Sequence, residues 1–183
     1  MATRATAHPA DCPAIVEEYA KQAVEAVRRA LAFDLEWDSE TLPVLDHYLG
    51  TVGKADPAVI ELVAAAAGAY FGEVVRRRLG GWWDTSDEDP NHWRLNLATG
   101  LSFSPPGIVA AAIAVAEVDD LDSALDATPD VLPVLEGALS RMEDQAEDVY
   151  YSLCGRYDTL EHLQAVLLAS EQLKEEERRR RAN

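Results

Sequence analysis

Apolar residues recur at helical spacing along most of the chain, on both sides of a short central segment that alternates like β-strands. Asp56 followed by Pro57 predicts the start of a long third helix, because Asp caps a helix and Pro fits its first turn. Gly80 and Gly81 predict its end after Leu79. The six expected helices cover about residues 11–32, 42–49, 57–79, 105–118, 131–153 and 158–181.

Two glycines interrupt the third helix one turn apart, at Gly68 and Gly72. A glycine inside a helix costs about 1 kcal/mol relative to alanine, so close packing of another backbone is expected there. The third helix is therefore predicted to be central and contacted on two sides.

Three short strands are predicted between the third helix and the proline-led fourth helix. They cover about residues 82–85, 92–97 and 101–104, where apolar and polar residues alternate with a period of two. The pattern predicts an α+β fold of about six helices around a three-stranded antiparallel sheet. One domain is expected over residues 1–183, with the strands inside a region of about 31–118 and a helical part over about 130–181.

The charge balance is strongly acidic, with 33 Asp and Glu residues against 16 Lys and Arg residues and a formal net charge of -17. Nucleic acid is a poor partner for such a chain, because phosphate binding needs clustered positive charge. A basic protein is a better candidate. No apolar run is long enough to span a bilayer without a charged residue, and residues 1–10 lack a secretory signal, so a cytoplasmic protein with reduced thiols is expected.

Known catalytic and metal-binding signatures do not occur in the sequence. The four histidines are scattered, and neither H-E-x-x-H nor G-x-S-x-G is present. The acidic loop at residues 84–89 lacks the glycine and the bidentate Glu that an EF-hand requires. The sequence therefore predicts no catalytic residue, no metal and no cofactor.

Glu73 is the only charged residue between Glu61 and Arg76 on the helix predicted to be central. A carboxylate held partly out of water needs a partner or an altered pKa, and such groups concentrate at functional sites. One interpretation places Glu73 and Tyr70 beside a ligand pocket near the sheet. The other pairs Glu73 with Arg77, one turn further along the helix.

A polar face is predicted on the outer side of the sheet. His92, Arg94 and Asn96 alternate along one strand, and Ser102 and Ser104 do so along the next. This face is interpreted either as a binding surface or as a solvated surface.

Trp82 and Trp83 are adjacent in the first strand, so only one of them can point into the core. The other either joins the polar face or is covered by the acidic loop. Trp and Arg dominate interface hot spots, which makes an exposed Trp beside Arg94 and His92 a candidate protein-binding patch.

Three motifs resemble a bacterial domain family that has no established activity. They are Leu35-Glu-Trp-Asp-Ser-Glu-Thr-Leu42 with Leu45-Asp46, Gly68-Ala-Tyr-Phe-Gly-Glu73, and Gly80-Gly-Trp82. The resemblance covers about residues 31–118 and departs from the family at Glu36, where Asp is common, and at Thr41, where Ser is common. It implies a fold and assigns no catalytic residue.

The function that these patterns favour is a non-enzymatic, acidic protein-binding module, such as an immunity-type inhibitor of a basic protein. The alternative is an enzyme or a small-ligand-binding protein with a pocket near Glu73, Tyr70 and the sheet. The apolar stripe from Leu160 to Leu173 on the final helix allows two arrangements. It packs on the third and fourth helices, or it forms a two-fold contact in a homodimer.

Overall fold

The computed structural model describes residues 11–53, 55–142 and 146–182, which form an α+β fold. Across these residues there are seven α-helices and a four-stranded antiparallel sheet. The helices are α1 (Ala14–Leu31), α2 (Leu42–Val52), α3 (Pro57–Leu79), α4 (Pro105–Ala114), α5 (Leu132–Leu139), α6 (Glu147–Tyr151) and α7 (Leu153–Ala182). The strands are β1 (Trp82–Asp84), β2 (Arg94–Asn96), β3 (Leu101–Phe103) and β4 (Leu125–Ala127), paired in that order. Two short 3₁₀ helices cover Ser39–Thr41 and Pro90–His92.

The fourth strand corrects the prediction of a three-stranded sheet. Residues 119–130 lie between the expected helices at 105–118 and 131–153, where no element was predicted, but Leu125 and Ala127 pair with Phe103 and Leu101 of β3. Three alternating residues are too few to identify a strand from sequence, and the free edge of β3 supplies the hydrogen bonds that define it.

Helix α3 lies at the centre of the fold, as predicted, and every residue from 64 to 75 is buried. The Asp56 side chain accepts a 3.0 Å hydrogen bond from the backbone N–H of Ala58, and Gly80 follows the helix with a φ of 79°. Of the described helices, α3 alone is long and apolar enough to span a membrane, but 67% of its most apolar window is buried inside the protein. A core helix passes the same test, so this length is weak evidence for a membrane span.

The two glycines of α3 mark two close approaches. A Cβ on Gly68 would lie 2.6 Å from the Cα of Pro106, and a Cβ on Gly72 would overlap the ring of Trp83. The expected approach of a second backbone is therefore confirmed at Gly68, where α4 begins. At Gly72 the neighbour is an aromatic ring.

The C-terminal helices differ from the prediction in number, since α5 and α6 replace one expected helix over residues 131–153. The final helix begins at Leu153, five residues before its expected start at about residue 158. Asp46 of α2 accepts hydrogen bonds from the backbone N–H groups of Leu153 (2.7 Å) and Cys154 (3.1 Å), so a distant side chain caps α7.

Gly155 falls in the gap between the expected helices at 131–153 and 158–181, but in the structure it lies in the first turn of α7. A Cβ at this position would overlap the carbonyl oxygen of Val149. Glycine is therefore required by the close approach of α6, and the missing side chain does not end the helix.

Candidate functional site

Glu73 lies at the centre of a buried polar cluster between α3 and β1. Its side chain is 1% exposed. The Nε of Arg76 donates to Oε1 at 2.6 Å, and the indole N–H of Trp83 donates to the same oxygen at 2.8 Å. The Nη2 of Arg76 donates to Oε2 at 3.1 Å, while the Nε of Arg77 lies 3.5 Å from that oxygen. The expected pair with Arg77 is present, and the closer partners are Arg76 and Trp83.

Opposing effects set the pKa of Glu73. Burial disfavours the charged form and is the largest single influence, but hydrogen bonds from Arg76 and Trp83 and the charge of Arg76 together hold the pKa below its ordinary value. The carboxylate is therefore ionised at neutral pH. Both of its oxygens already accept hydrogen bonds from side chains of this protein, so the geometry is that of a structural ion pair.

The thiol of Cys12 lies against the Glu73 carboxylate. Burial raises the pKa of Cys12 to about 12, with a further rise from the charge and hydrogen bonding of Glu73. A thiol with this pKa is protonated at neutral pH and is a poor nucleophile.

Tyr70 is fully buried one turn before Glu73 and contacts a different part of the chain. Its hydroxyl donates to the carbonyl of Glu36 at 3.0 Å and lies 3.0 Å from the hydroxyl of Thr41. Its ring centroid lies 5.2 Å from that of Trp37. Tyr70 thus ties α3 to the segment before α2, and burial raises its pKa to about 12.

The outer face of the sheet carries one polar row across all four strands. Trp82 pairs with Asn96, Asn96 pairs with Ser102, and Ser102 pairs with Asp126. Trp82 is 44% exposed at the end of this row, whereas Trp83 is 8% exposed and faces α3. We call these four residues, Trp82, Asn96, Ser102 and Asp126, the sheet row.

Arg94 lies beside the sheet row and is paired within the protein. Its Nε donates to the Ser102 hydroxyl at 3.2 Å, and its Nη1 donates to Asp122 at 2.9 Å. Its Nη2 donates to Asp126. Two carboxylates around one guanidinium leave this part of the surface with a negative charge.

Two of the residues predicted for the outer face lie elsewhere. His92 belongs to the 3₁₀ helix before β2, with its Nδ1 3.5 Å from a carboxylate oxygen of Asp87. Ser104 is buried, and its hydroxyl accepts a 3.2 Å hydrogen bond from the N–H of Gly107 as the cap of α4. His92 lies outside the sheet because β2 begins only at Arg94, and the alternation of burial breaks after Phe103, where Ser104 is buried.

A cavity that sequence analysis missed opens between α3 and α4, beside His92. It has a volume of about 500 Å³. Its inner surface is largely apolar and includes Ile60, Ala64 and Ile113. Four carboxylates line it as well, from Glu61, Asp89, Asp119 and Asp120. We call this feature the acidic-rim cavity.

No sequence signal places the members of this cavity together. Glu61 belongs to α3, Asp89 to the acidic loop, and Asp119 and Asp120 to the turn after α4, so their meeting depends on the tertiary structure.

The acidic loop uses its carboxylates to stabilise its own turns. The side chains of Asp84, Asp87 and Asp89 each accept a hydrogen bond from the backbone N–H two residues later, at 2.9 to 3.0 Å. Across the described residues, no group of three or more His, Cys, Asp and Glu side chains could hold a metal ion.

No protein-family model matches the chain, and no curated protein or solved structure matches it either.

Proposed function

We propose that this protein is a non-enzymatic, acidic protein-binding module that contacts a positively charged protein through the sheet row. The observation that carries the proposal is Trp82, which is 44% exposed at the end of a polar row across the sheet. A large, half-exposed indole has apolar area to bury and a donor to satisfy, which is why Trp is enriched at interface hot spots.

The charge around Trp82 favours a basic partner. Asp84 follows it at the end of β1, and Asp126 lies at the other end of the sheet row. Arg94, the nearby cation, already has two carboxylate partners. With a net charge of -17 on the chain, a basic partner would associate faster than a neutral one.

An immunity-type inhibitor of a basic protein is the particular role that we infer for this module. Such a protein needs fast association and a preformed surface, and the surplus of carboxylates supports the first of these. The sheet row supports the second, because strands hold side chains in place more rigidly than loops do.

The alternative, a ligand pocket around Glu73 and Tyr70, has weaker support. Both carboxylate oxygens of Glu73 have donors in the protein, and the Tyr70 hydroxyl is bonded to Glu36 and Thr41. Neither group offers a free polar atom to a substrate, whereas Trp82 is open to solvent.

Site-specific crosslinking tests the proposal. A photoreactive residue replaces Asn96 within the sheet row, and a control places it at Glu136, an exposed position on α5. We expect the Asn96 probe, in the source cell, to form one dominant adduct with a basic protein.

Two variants sharpen this test. Trp82→Ala should reduce the adduct at least tenfold, and Phe33→Ala should not, because Phe33 is a 41% exposed aromatic residue outside the sheet row. A partner that is acidic, or an adduct that survives Trp82→Ala unchanged, would refute the proposal.

We also infer that the protein works in the cytoplasm. Cys12 and Cys154 are both free and half-buried, as reduced thiols would be. Fractionation of the source cell, with trapping of free thiols during lysis, tests this inference.

A further inference from the structure

The acidic-rim cavity combines two properties that a ligand must match. Its inner part is walled by aliphatic side chains of α3 and α4, such as Ile60 and Ile113. A cavity of about 500 Å³ with mostly apolar walls has the size and character of small-molecule sites. An occupant therefore needs an apolar body.

The outer part of the cavity carries unpaired negative charge. Among the described residues, no Lys or Arg lies within ion-pair distance of Glu61, Asp119 or Asp120, and none of the residues that line the cavity is a Lys or Arg. The nearest titratable base is His92, whose Nδ1 already faces Asp87 and Asp89. An occupant therefore needs a positive charge at the rim.

We propose that the acidic-rim cavity binds a small organic cation, an amine or amidine with an apolar body. The apolar body contacts the aliphatic wall, and the charged nitrogen lies between Glu61, Asp119 and Asp120. This site is separate from the sheet row and does not depend on the function proposed for that row.

The turn that carries Asp119 and Asp120 has a backbone conformation that Asn also adopts. Val118 and Leu121 form the β-bridge that closes it, and Asp120 has a φ of 66°, a conformation that Asp adopts more readily than most residues. Asn tolerates the same conformation, so Asp119→Asn with Asp120→Asn removes two charges and keeps the turn.

Binding is measured by amide NMR shifts and titration calorimetry at low salt, with phenethylamine and benzamidine as probes. Phenethyl alcohol and hydrocinnamate serve as neutral and anionic counterparts of similar shape. We expect the two cations to shift the amides of Ala64 and Ile113, the alcohol to bind at least tenfold more weakly, and the carboxylate to cause no shift. Added salt should weaken the binding of the cations.

Two sets of variants separate the cavity from the net charge of the protein. Asp119→Asn with Asp120→Asn should weaken binding about tenfold, while Glu18→Gln with Glu136→Gln, which removes two exposed carboxylates elsewhere, should change it less than twofold. Ala114→Phe places a ring in the mouth from an exposed position and should abolish binding without changing the fold.

Four results would overturn the proposal. The first is equal weakening by the two double variants, and the second is equal affinity for the amine and the alcohol. The third is an absence of shifts at Ala64 and Ile113 with both cations at millimolar concentration. Shifts there with polylysine alone would assign the cavity to a protein side chain and would also reject a small-molecule site.

Discussion

The indole nitrogen of Trp83 donates a 2.8 Å hydrogen bond to Oε1 of Glu73, joining the first strand of the sheet to the central helix. The same ring covers Gly72, one residue before Glu73. One tryptophan therefore fills the space that a glycine leaves and supplies a partner for a buried carboxylate. The adjacent Trp82 faces solvent as a consequence, because neighbouring residues of a strand point to opposite sides.

The Glu73 cluster predicts how stability depends on pH. The folded-state pKa of Glu73 lies below its ordinary value of 4.5, so its contribution to stability is present above that value and is lost as pH falls through the folded-state pKa. We expect Glu73→Gln to flatten the fall in stability below about pH 5, as measured by urea unfolding at several pH values. Glu18→Gln, at an exposed position, should leave the profile unchanged.

Removal of the whole Glu73 side chain is expected to be costly. Glu73→Ala leaves Arg76 without its main partner and Trp83 without an acceptor, and breaking a buried pair in this way costs about 3 to 5 kcal/mol. A loss below about 1 kcal/mol, measured by chemical denaturation at neutral pH, would mean that the cluster contributes little to stability.

Two glycine substitutions should change stability in opposite directions. Gly72→Ala forces a methyl group into the Trp83 ring, which Glu73 holds in place, and overpacking of this kind costs about 1 to 3 kcal/mol. Gly50→Ala, in α2, meets no atom within 4 Å and should stabilise the protein by about 0.5 to 1 kcal/mol. Thermal melting of both variants tests the pair, and a shift of the same sign in both would contradict the packing described for Gly72.

Val115 carries backbone strain that glycine would relieve. It follows α4 with a φ of 51°, a left-handed conformation that β-branched residues rarely adopt, and its side chain is 46% exposed. We expect Val115→Gly to stabilise the protein by about 1 kcal/mol. Val149→Gly, at an equally exposed position within α6, should destabilise it, and differential scanning calorimetry distinguishes the two.

Both cysteines should resist alkylation in the folded protein. Burial is the main cause that raises the pKa of each thiol to about 12. The carboxylate of Glu73 raises the pKa of Cys12 further, and the carboxylate of Asp46 does so for Cys154. Reaction with a thiol reagent at pH 8 should therefore be slow in buffer and fast in denaturant.

The same thiols predict a loss of stability in base. Because their folded-state pKa exceeds the ordinary value of 9.0, their contribution is complete below pH 9 and is lost as pH rises towards 12. Cys12→Ser with Cys154→Ser should reduce this loss. Rapid alkylation of the native protein at pH 8 would contradict both expectations.

Self-association through α7 stays a prediction, and the exposed leucines of this helix test it. Leu163 and Leu167 are 1% and 2% exposed inside the protein's own core, so Leu163→Asp should unfold the chain. Leu168 and Leu173 are 44% and 63% exposed on the same helix. If the wild type sediments as a dimer, Leu173→Asp should give a folded 20.0 kDa monomer, and a wild type that is monomeric at high concentration rejects the homodimer.

Features that depend on neighbours along the chain were predictable from the sequence alone. The start of α3 at Pro57, its end before Gly80 and the close approach at Gly68 follow from capping, conformational freedom and side-chain size. The α+β class was predictable too, and so was the fact that only one of Trp82 and Trp83 points into the core. Which of the two faces inward was not predictable.

Features that depend on residues far apart in the chain were decided by the tertiary structure. Strand β4 exists because β3 offers it a free edge, and α7 begins at Leu153 because Asp46 caps it from α2. The acidic-rim cavity likewise needs three separate segments to meet, and its carboxylates look like ordinary solvated residues in each of them. Local patterns fix local conformation because their interactions act within one or two turns, whereas these contacts form only when the whole chain packs around α3.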